Sequence, residues 1–150
     1  MARSLTATNI QNTDIDLAFS LIQALYPKVT LDMWRVFASP LINQQLVARQ
    51  GLIGIRNESA YLCGLFVYRI EADLEYELAL VVDVVAALDI IDPKAAIGAI
   101  VETVRFMAQQ QRCNIVRVRT THTQESLKLY LANHGFSSEG LFMSQRFSTS

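Results

Sequence analysis

Residues 77–88 read ELALVVDVVAAL, and this nearly unbroken apolar run constrains the fold more than any other part of the chain. A strand wetted on one face alternates apolar and polar residues, so a run that does not alternate belongs to a central strand covered on both faces. Helices on both sides of a sheet follow. After this run comes Asp92-Pro93, an N-cap acid and then proline at the first helical position, which predicts a helix over 93–111. Its apolar set is Ile97, Ile100, Val101, Val104 and Met107 with Ala108, at helical spacing. The next strand is 114–120 (NIVRVRT). The strands ending near Leu88 and beginning near Asn114 are therefore expected to be parallel neighbours, joined by the helix as a crossover.

Upstream, residues 4–8 alternate as a short strand. A polar cluster at 9–13 leads into a helix over about 13–26, with Ile15, Ala18, Phe19, Ile22, Leu25 and Tyr26 at helical spacing and Asp14 and Asp16 in its first turn. Thr30 caps a second helix carrying Leu31, Trp34, Val36 and Phe37, which Pro40 is expected to kink or end early. Residues 52–56, 60–71 and 74–88 form three antiparallel strands, the first two joined through Asn57-Glu58-Ser59. Residues 124–133 form the last helix, stopped at His134-Gly135, and 141–147 a closing strand. The order β-α-α-β-β-β-α-β-α-β describes an α/β (α+β) fold, a mixed central sheet with helices on both faces, in one domain without repeats or linkers.

Thirteen Lys and Arg nearly cancel fourteen Asp and Glu, for a net charge of −1, and no segment concentrates the basic residues. Nucleic acid is an unsuitable partner, because a phosphate backbone needs a basic footprint. With 51% apolar residues and so little net charge, colloidal repulsion is weak, which leaves self-association as a homodimer an open expectation. No apolar run reaches the roughly 18 residues a membrane span needs, and a cytoplasmic protein is expected. Cys63 and Cys113, with no CxxC spacing and no neighbouring His, read as reduced core residues, and no metal site is expected.

Asp83 is the only acid inside the apolar part of the central run. Burial between Val82 and Val84 favours its neutral form unless a cation pairs with it. Arg117 and Arg119 lie two apart, on one face of the neighbouring strand, so an ion pair with Asp83 is expected, and Glu75 and Glu77 extend it into a ladder. His122 lies between a strand and a helix, where it titrates usefully near neutral pH or serves as an ordinary turn residue. His134 suits a helix C-terminus. Neither GxSxG, HExxH, a Walker loop nor a dinucleotide fingerprint occurs.

Two segments give the element order a sharper meaning. Residues 86–100 (AALDIIDPKAAIGAI) and 123–136 (TQESLKLYLANHGF) resemble, in the GCN5-related N-acetyltransferase family, the central strand with its pyrophosphate loop and the later helix that carries a Tyr and ends in Gly-Phe. This resemblance implies acetyl-CoA as co-substrate and direct acetyl transfer to a small-molecule or peptide amine, held by segments such as 27–45. It places the pantetheine and acyl group along Ala86, Ala87 and Leu88. The pyrophosphate falls at the helix start formed by Lys94, Ala95, Ala96, Ile97, Gly98 and Ala99, with Thr123 and Ser126 at the head of the later helix. Asp83, directly or through water, would take the amine proton, and Tyr130 would protonate the departing thiolate.

The loop departs from the family pattern of Arg or Gln, two residues, Gly, one residue, then Gly or Ala. Pro93 has no N–H for a phosphate, and Ala96 puts a methyl where Gly allows close approach. The Asp92 carboxylate competes for the same amides, so weak acetyl-CoA binding is implied. The later helix admits two registers. Gly135 follows Tyr130 by five positions where the family has four, so either Tyr130 keeps the acid's place or the Gly-Phe end sets the register and Leu131 takes it. The altered loop also supports a second reading, a non-catalytic binding or dimerising module of the same fold.

Overall fold

A computed structural model describes residues 4–43, 49–88, 93–121, 123–140 and 142–147. Asp92, His122 and Leu141 lie outside them, and with them the expected N-cap and the turn histidine. In chain order the elements are β1 (Thr6–Asn9), a 3-10 turn (Asn12–Asp14), α1 (Ile15–Leu25), α2 (Leu31–Asn43), β2 (Gln50–Arg56), β3 (Leu62–Asp73), β4 (Glu77–Ala87), α3 (Pro93–Gln110), β5 (Ile115–Val118) and α4 (Glu125–Asn133). The sheet order is β1-β2-β3-β4-β5. The first four strands pair antiparallel, and β4 pairs with β5 in parallel, Ala79 to Val82 against Ile115 to Val118. The parallel crossover expected from the central run is therefore present.

The sheet is covered on both faces. Leu80, Val82, Val85 and Phe66 pack with Ile97, Ile100, Val101 and Val104 of α3 and with Leu127 and Leu131 of α4. Leu52, Leu65, Val67 and Ala86 pack on the other side with Ala18, Leu21 and Ile22 of α1 and with Trp34 and Ala38 of α2. Thr30 caps α2 as expected, its hydroxyl accepting the Met33 N–H at 3.2 Å. Gly135 ends α4 with φ +92°, a conformation that favours glycine.

Two expectations need correction. Pro40 does not end α2, which continues to Asn43. The hydrogen bond that Pro40 removes would have reached Val36, which is 77% exposed, while buried Trp34, Ala38 and Leu41 anchor the helix on both sides of the proline. Nor do residues 142–147 form a strand, so among the described residues the sheet ends at β5. Phe142, Met143 and Phe147 are more than 80% exposed, and with no sheet face beneath them the segment lacks the burial that stabilises a strand.

Candidate functional site

The site is shaped by a bulge in β4. Val67 pairs with Val84 and Tyr68 with Val82, which leaves Asp83 as the extra residue. The side-chain alternation slips there. Leu80 and Val82 face α3 before the bulge and Val85 and Ala87 face it after, whereas Val84 and Ala86 point to α1 and α2. Beyond the bulge β4 loses β5. The last backbone bond between them runs from the Arg119 N–H to the Val82 carbonyl at 2.9 Å, while β4 continues to Ala87.

The Val85 main chain faces the gap that opens here, and a side chain holds it. The Gln124 carboxamide donates to the Val85 carbonyl at 2.7 Å, and its oxygen accepts the Thr121 N–H at 3.1 Å. Gln124 is the one buried polar residue among those described. From the opposite layer comes Tyr26, whose phenol lies near the Val85 main chain. Burial holds the Tyr26 phenol above its ordinary pKa, opposed by the nearby Arg119 charge and by the Val85 main chain. Leu88, by contrast, donates its N–H to Cys63 of β3 at 3.0 Å, away from the gap. In the core between the sheet, α3 and α4, Val82, Val85, Val104, Val118, Leu127 and Leu131 help enclose a cavity of about 10 Å³, no more than one water needs.

Leu131, 6% exposed, lies in this lining, and Tyr130 does not. The Tyr130 hydroxyl lies against Gly98 of α3, 2.9 Å from where a Cβ would stand, and its ring stacks on His134 with centroids 3.9 Å apart. His134 Nδ1 is 2.7 Å from the Tyr130 carbonyl, the helix-end role expected of it. Lys94 is exposed, while Ala96 and Ile97 are buried in the α3–sheet interface. Ala95, Gly98 and Ala99 are partly buried along the first turns of α3, and the head of α4 places Thr123 and Ser126 on the surface.

Asp83 pairs with Arg69 of β3, and not with Arg117 or Arg119 as expected. Register explains the difference. Arg69 and Arg117 flank Val81 from opposite sides, and Arg117 is held by two other carboxylates, Asp73 and Glu139. The expected ladder through Glu75 and Glu77 is likewise absent, because Glu75 lies in the β3–β4 turn, where Asp73 accepts the N–H groups of Glu75 and Tyr76. Arg117 and those two N–H groups hold the Asp73 carboxyl below its usual range. Arg119 instead lies over the Phe142 ring at 5.0 Å.

Elsewhere, an open depression of about 620 Å³ between α1 and α2 is lined by Asn12, Asp16, Arg35 and Ser39, with no residue from β4, β5, α3 or α4. Cys63 and Cys113 are not joined in a disulfide. Among the described residues no His, Cys, Asp and Glu cluster could hold a metal, and no helix is long and apolar enough to cross a membrane. Gln124 and Tyr26 escape sequence reasoning. The available signals are slight, a helix start without Ser, Thr, Asp or Asn at its cap and a Tyr directly before Pro27.

No protein-family model matches the chain, and no curated protein matches it in sequence. Solved structures do match its fold over nearly their whole length. Ribosomal-protein-alanine N-acetyltransferase from Brucella melitensis biovar Abortus 2308 aligns with a TM-score of 0.77 at 13% identity, covering 97% of this chain and 100% of that one. Glucosamine-6-phosphate N-acetyltransferase from Arabidopsis thaliana aligns at 0.73 and 15%, covering 97% and 99%. A transcriptional regulator from Bacillus halodurans C-125 aligns at 0.78 and 12%, covering 96% and 100%. At such identities the likeness is one of fold.

Proposed function

We propose that this chain, whose fold is that of the GCN5-related N-acetyltransferases, transfers an acyl group from an acyl-CoA to a small-molecule or peptide amine, with weak affinity for the acyl-CoA. The observation that carries this reading is the Val85 main chain at the divergence of β4 and β5, facing a gap and held by the Gln124 side chain instead of a strand. A secondary amide of the kind the pantetheine arm carries can make the hydrogen bond to the Val85 carbonyl that Gln124 makes now. Gln124 must first withdraw, which costs about 1 kcal/mol for the bond it gives up. Pro93 and Ala96 weaken phosphate contacts at the α3 start, and Lys94 offsets part of that loss as a point charge.

Acetyl-CoA supplies an activated thioester, and the amine attacks its carbonyl carbon with release of the thiolate. The chain's residues align and relay protons. Main chain between Val85 and Leu88 aligns the acyl group, the α3 start from Lys94 to Ala99 takes the phosphates, and Thr123 and Ser126 flank the entrance. Asp83, at the bulge, accepts the amine proton directly or through water. Because the Tyr130 hydroxyl lies against Gly98, this reading takes the proton for the thiolate from water and gives Tyr130 a packing role.

A second reading, a binding module without catalysis, is favoured by Gln124 occupying the Val85 carbonyl. Incubation with acetyl-CoA and a panel of amines, following free thiol release, separates the two. Amine-dependent release supports transfer, and its absence together with no thermal shift in millimolar acetyl-CoA supports the binding module.

A further inference from the structure

Arg69, Arg117 and Arg119 share one face of the sheet. On β3, Val67 packs toward α1 and α2, and Arg69 two residues on shares its side; on β5, Val116 and Val118 pack toward α3, so Arg117 and Arg119 alternate to the opposite face. Carboxylates answer two of these cations, Asp83 and Glu71 at Arg69, Asp73 and Glu139 at Arg117. Arg119 is exposed and has no carboxylate partner among the described residues. Its guanidinium lies over the Phe142 ring, 5.0 Å from the centroid, and near enough to Tyr26 for its charge to act on that phenol. A guanidinium that rests with its face on a ring keeps its N–H edge free, and that planar edge fits two oxygens of a carboxylate or phosphate.

The place of this unanswered charge matters. The Arg119 N–H makes the last main-chain bond to β4, at the Val82 carbonyl, so the residue stands where the two strands part. Asp83 follows Val82 directly, and its pairing with Arg69 puts its carboxylate on the same face of the sheet. A proton acceptor for an amine and a cation lacking an anion thus lie on neighbouring strands at the divergence of β4 and β5.

We infer that the acceptor is an amine that also carries an anionic group, a carboxylate or a phosphate, which Arg119 binds while Asp83 receives the amine proton. The inference rests on the acyl transfer proposed above and deepens it by naming the acceptor's class. A plain amine gains nothing from the Arg119 edge, and a polyamine brings a second positive charge toward it. In the transfer the C–N bond forms as the C–S bond breaks. The amine proton passes to Asp83 and on to water, the thiolate is protonated from water, and the anionic group stays on Arg119 unchanged.

Amine-dependent thiol release from acetyl-CoA, measured on matched pairs of acceptors, tests this: amino acids against their amides, and aminoalkyl phosphates against the corresponding amino alcohols. The expected result is a kcat/KM about tenfold higher for the anionic member, and the pair that shows it tells carboxylate from phosphate. Arg119→Ala is expected to bring that ratio close to one, chiefly through KM, and Arg119→Lys to restore part of it as a point charge. Equal rates within both pairs would overturn the inference, as would a preference that survives Arg119→Ala. If no amine is acetylated, the transfer reading fails and binding alone decides the anion site. A thermal shift of the parent by an anionic member, lost in an Arg119→Ala variant with an unchanged far-ultraviolet circular dichroism spectrum, then supports the site at Arg119. Equal shifts in parent and variant, or none in either, overturn it.

Discussion

The Gln124 carboxamide donates to the Val85 carbonyl across the gap where β5 leaves β4, at 2.7 Å and in a buried setting. One side chain thereby satisfies a strand edge that would otherwise be buried without a partner, and it occupies the place a ligand amide would need.

Removing that side chain leaves the Val85 carbonyl unpaired in an apolar setting. Gln124→Ala is expected to destabilise the fold by about 1–3 kcal/mol, the usual cost of a buried group that loses its hydrogen bond. Urea unfolding with an unchanged slope checks it, and a loss below about 0.5 kcal/mol would place the carbonyl in contact with water.

Tyr130 and Gly98 form a second pair. A methyl at position 98 meets the Tyr130 hydroxyl at 2.9 Å, so the helix-propensity gain of Gly98→Ala, up to about 1 kcal/mol, is offset by the clash. In a Tyr130→Phe background the clash disappears, and Gly98→Ala is expected to stabilise. Tyr130→Phe alone is expected to leave turnover within about twofold. A drop of roughly 10²-fold would instead make its hydroxyl the acid for the thiolate.

The central strand and its crossover were legible because uniform apolarity and the Asp92-Pro93 boundary act locally, within a few residues of the elements they define. The partner of Asp83 was not. It depends on a bulge that shifts the alternation of β4 by one residue, and no single residue between Val81 and Val85 marks where the slip falls. Pro40 misled for a related reason, since burial of Trp34 and Leu41 on either side outweighs one lost hydrogen bond. The segment 142–147 has the composition of a strand, yet composition supplies no partner. The residues around the gap were legible only in part: Tyr130 and Leu131 were both candidates, and side-chain placement, with Leu131 in the core and the Tyr130 hydroxyl against Gly98, distinguishes their surroundings.

Asp73 makes stability depend on pH. Arg117 and two backbone N–H groups hold its carboxyl below the ordinary value, so near pH 4 the unfolded chain binds more protons than the folded one. The stabilisation is present above the unfolded pKa and is lost as pH falls through the lower folded value. Asp73→Asn is expected to flatten the fall in melting temperature below about pH 4. An unchanged acid limb would remove Asp73 from the balance.

The most direct test of a gap closed by Gln124 is a thermal-shift titration of the parent and of Gln124→Ala with acetyl-CoA, each relative to its own ligand-free melting temperature. Stabilisation of the parent is expected to saturate only in the millimolar range, reaching about 2.7 kcal/mol at 100 times the dissociation constant. Gln124→Ala is expected to bind about threefold to tenfold more tightly, the worth of one hydrogen bond that no longer has to be displaced. No shift in either protein through several millimolar acetyl-CoA would contradict the account, and so would equal affinity in both.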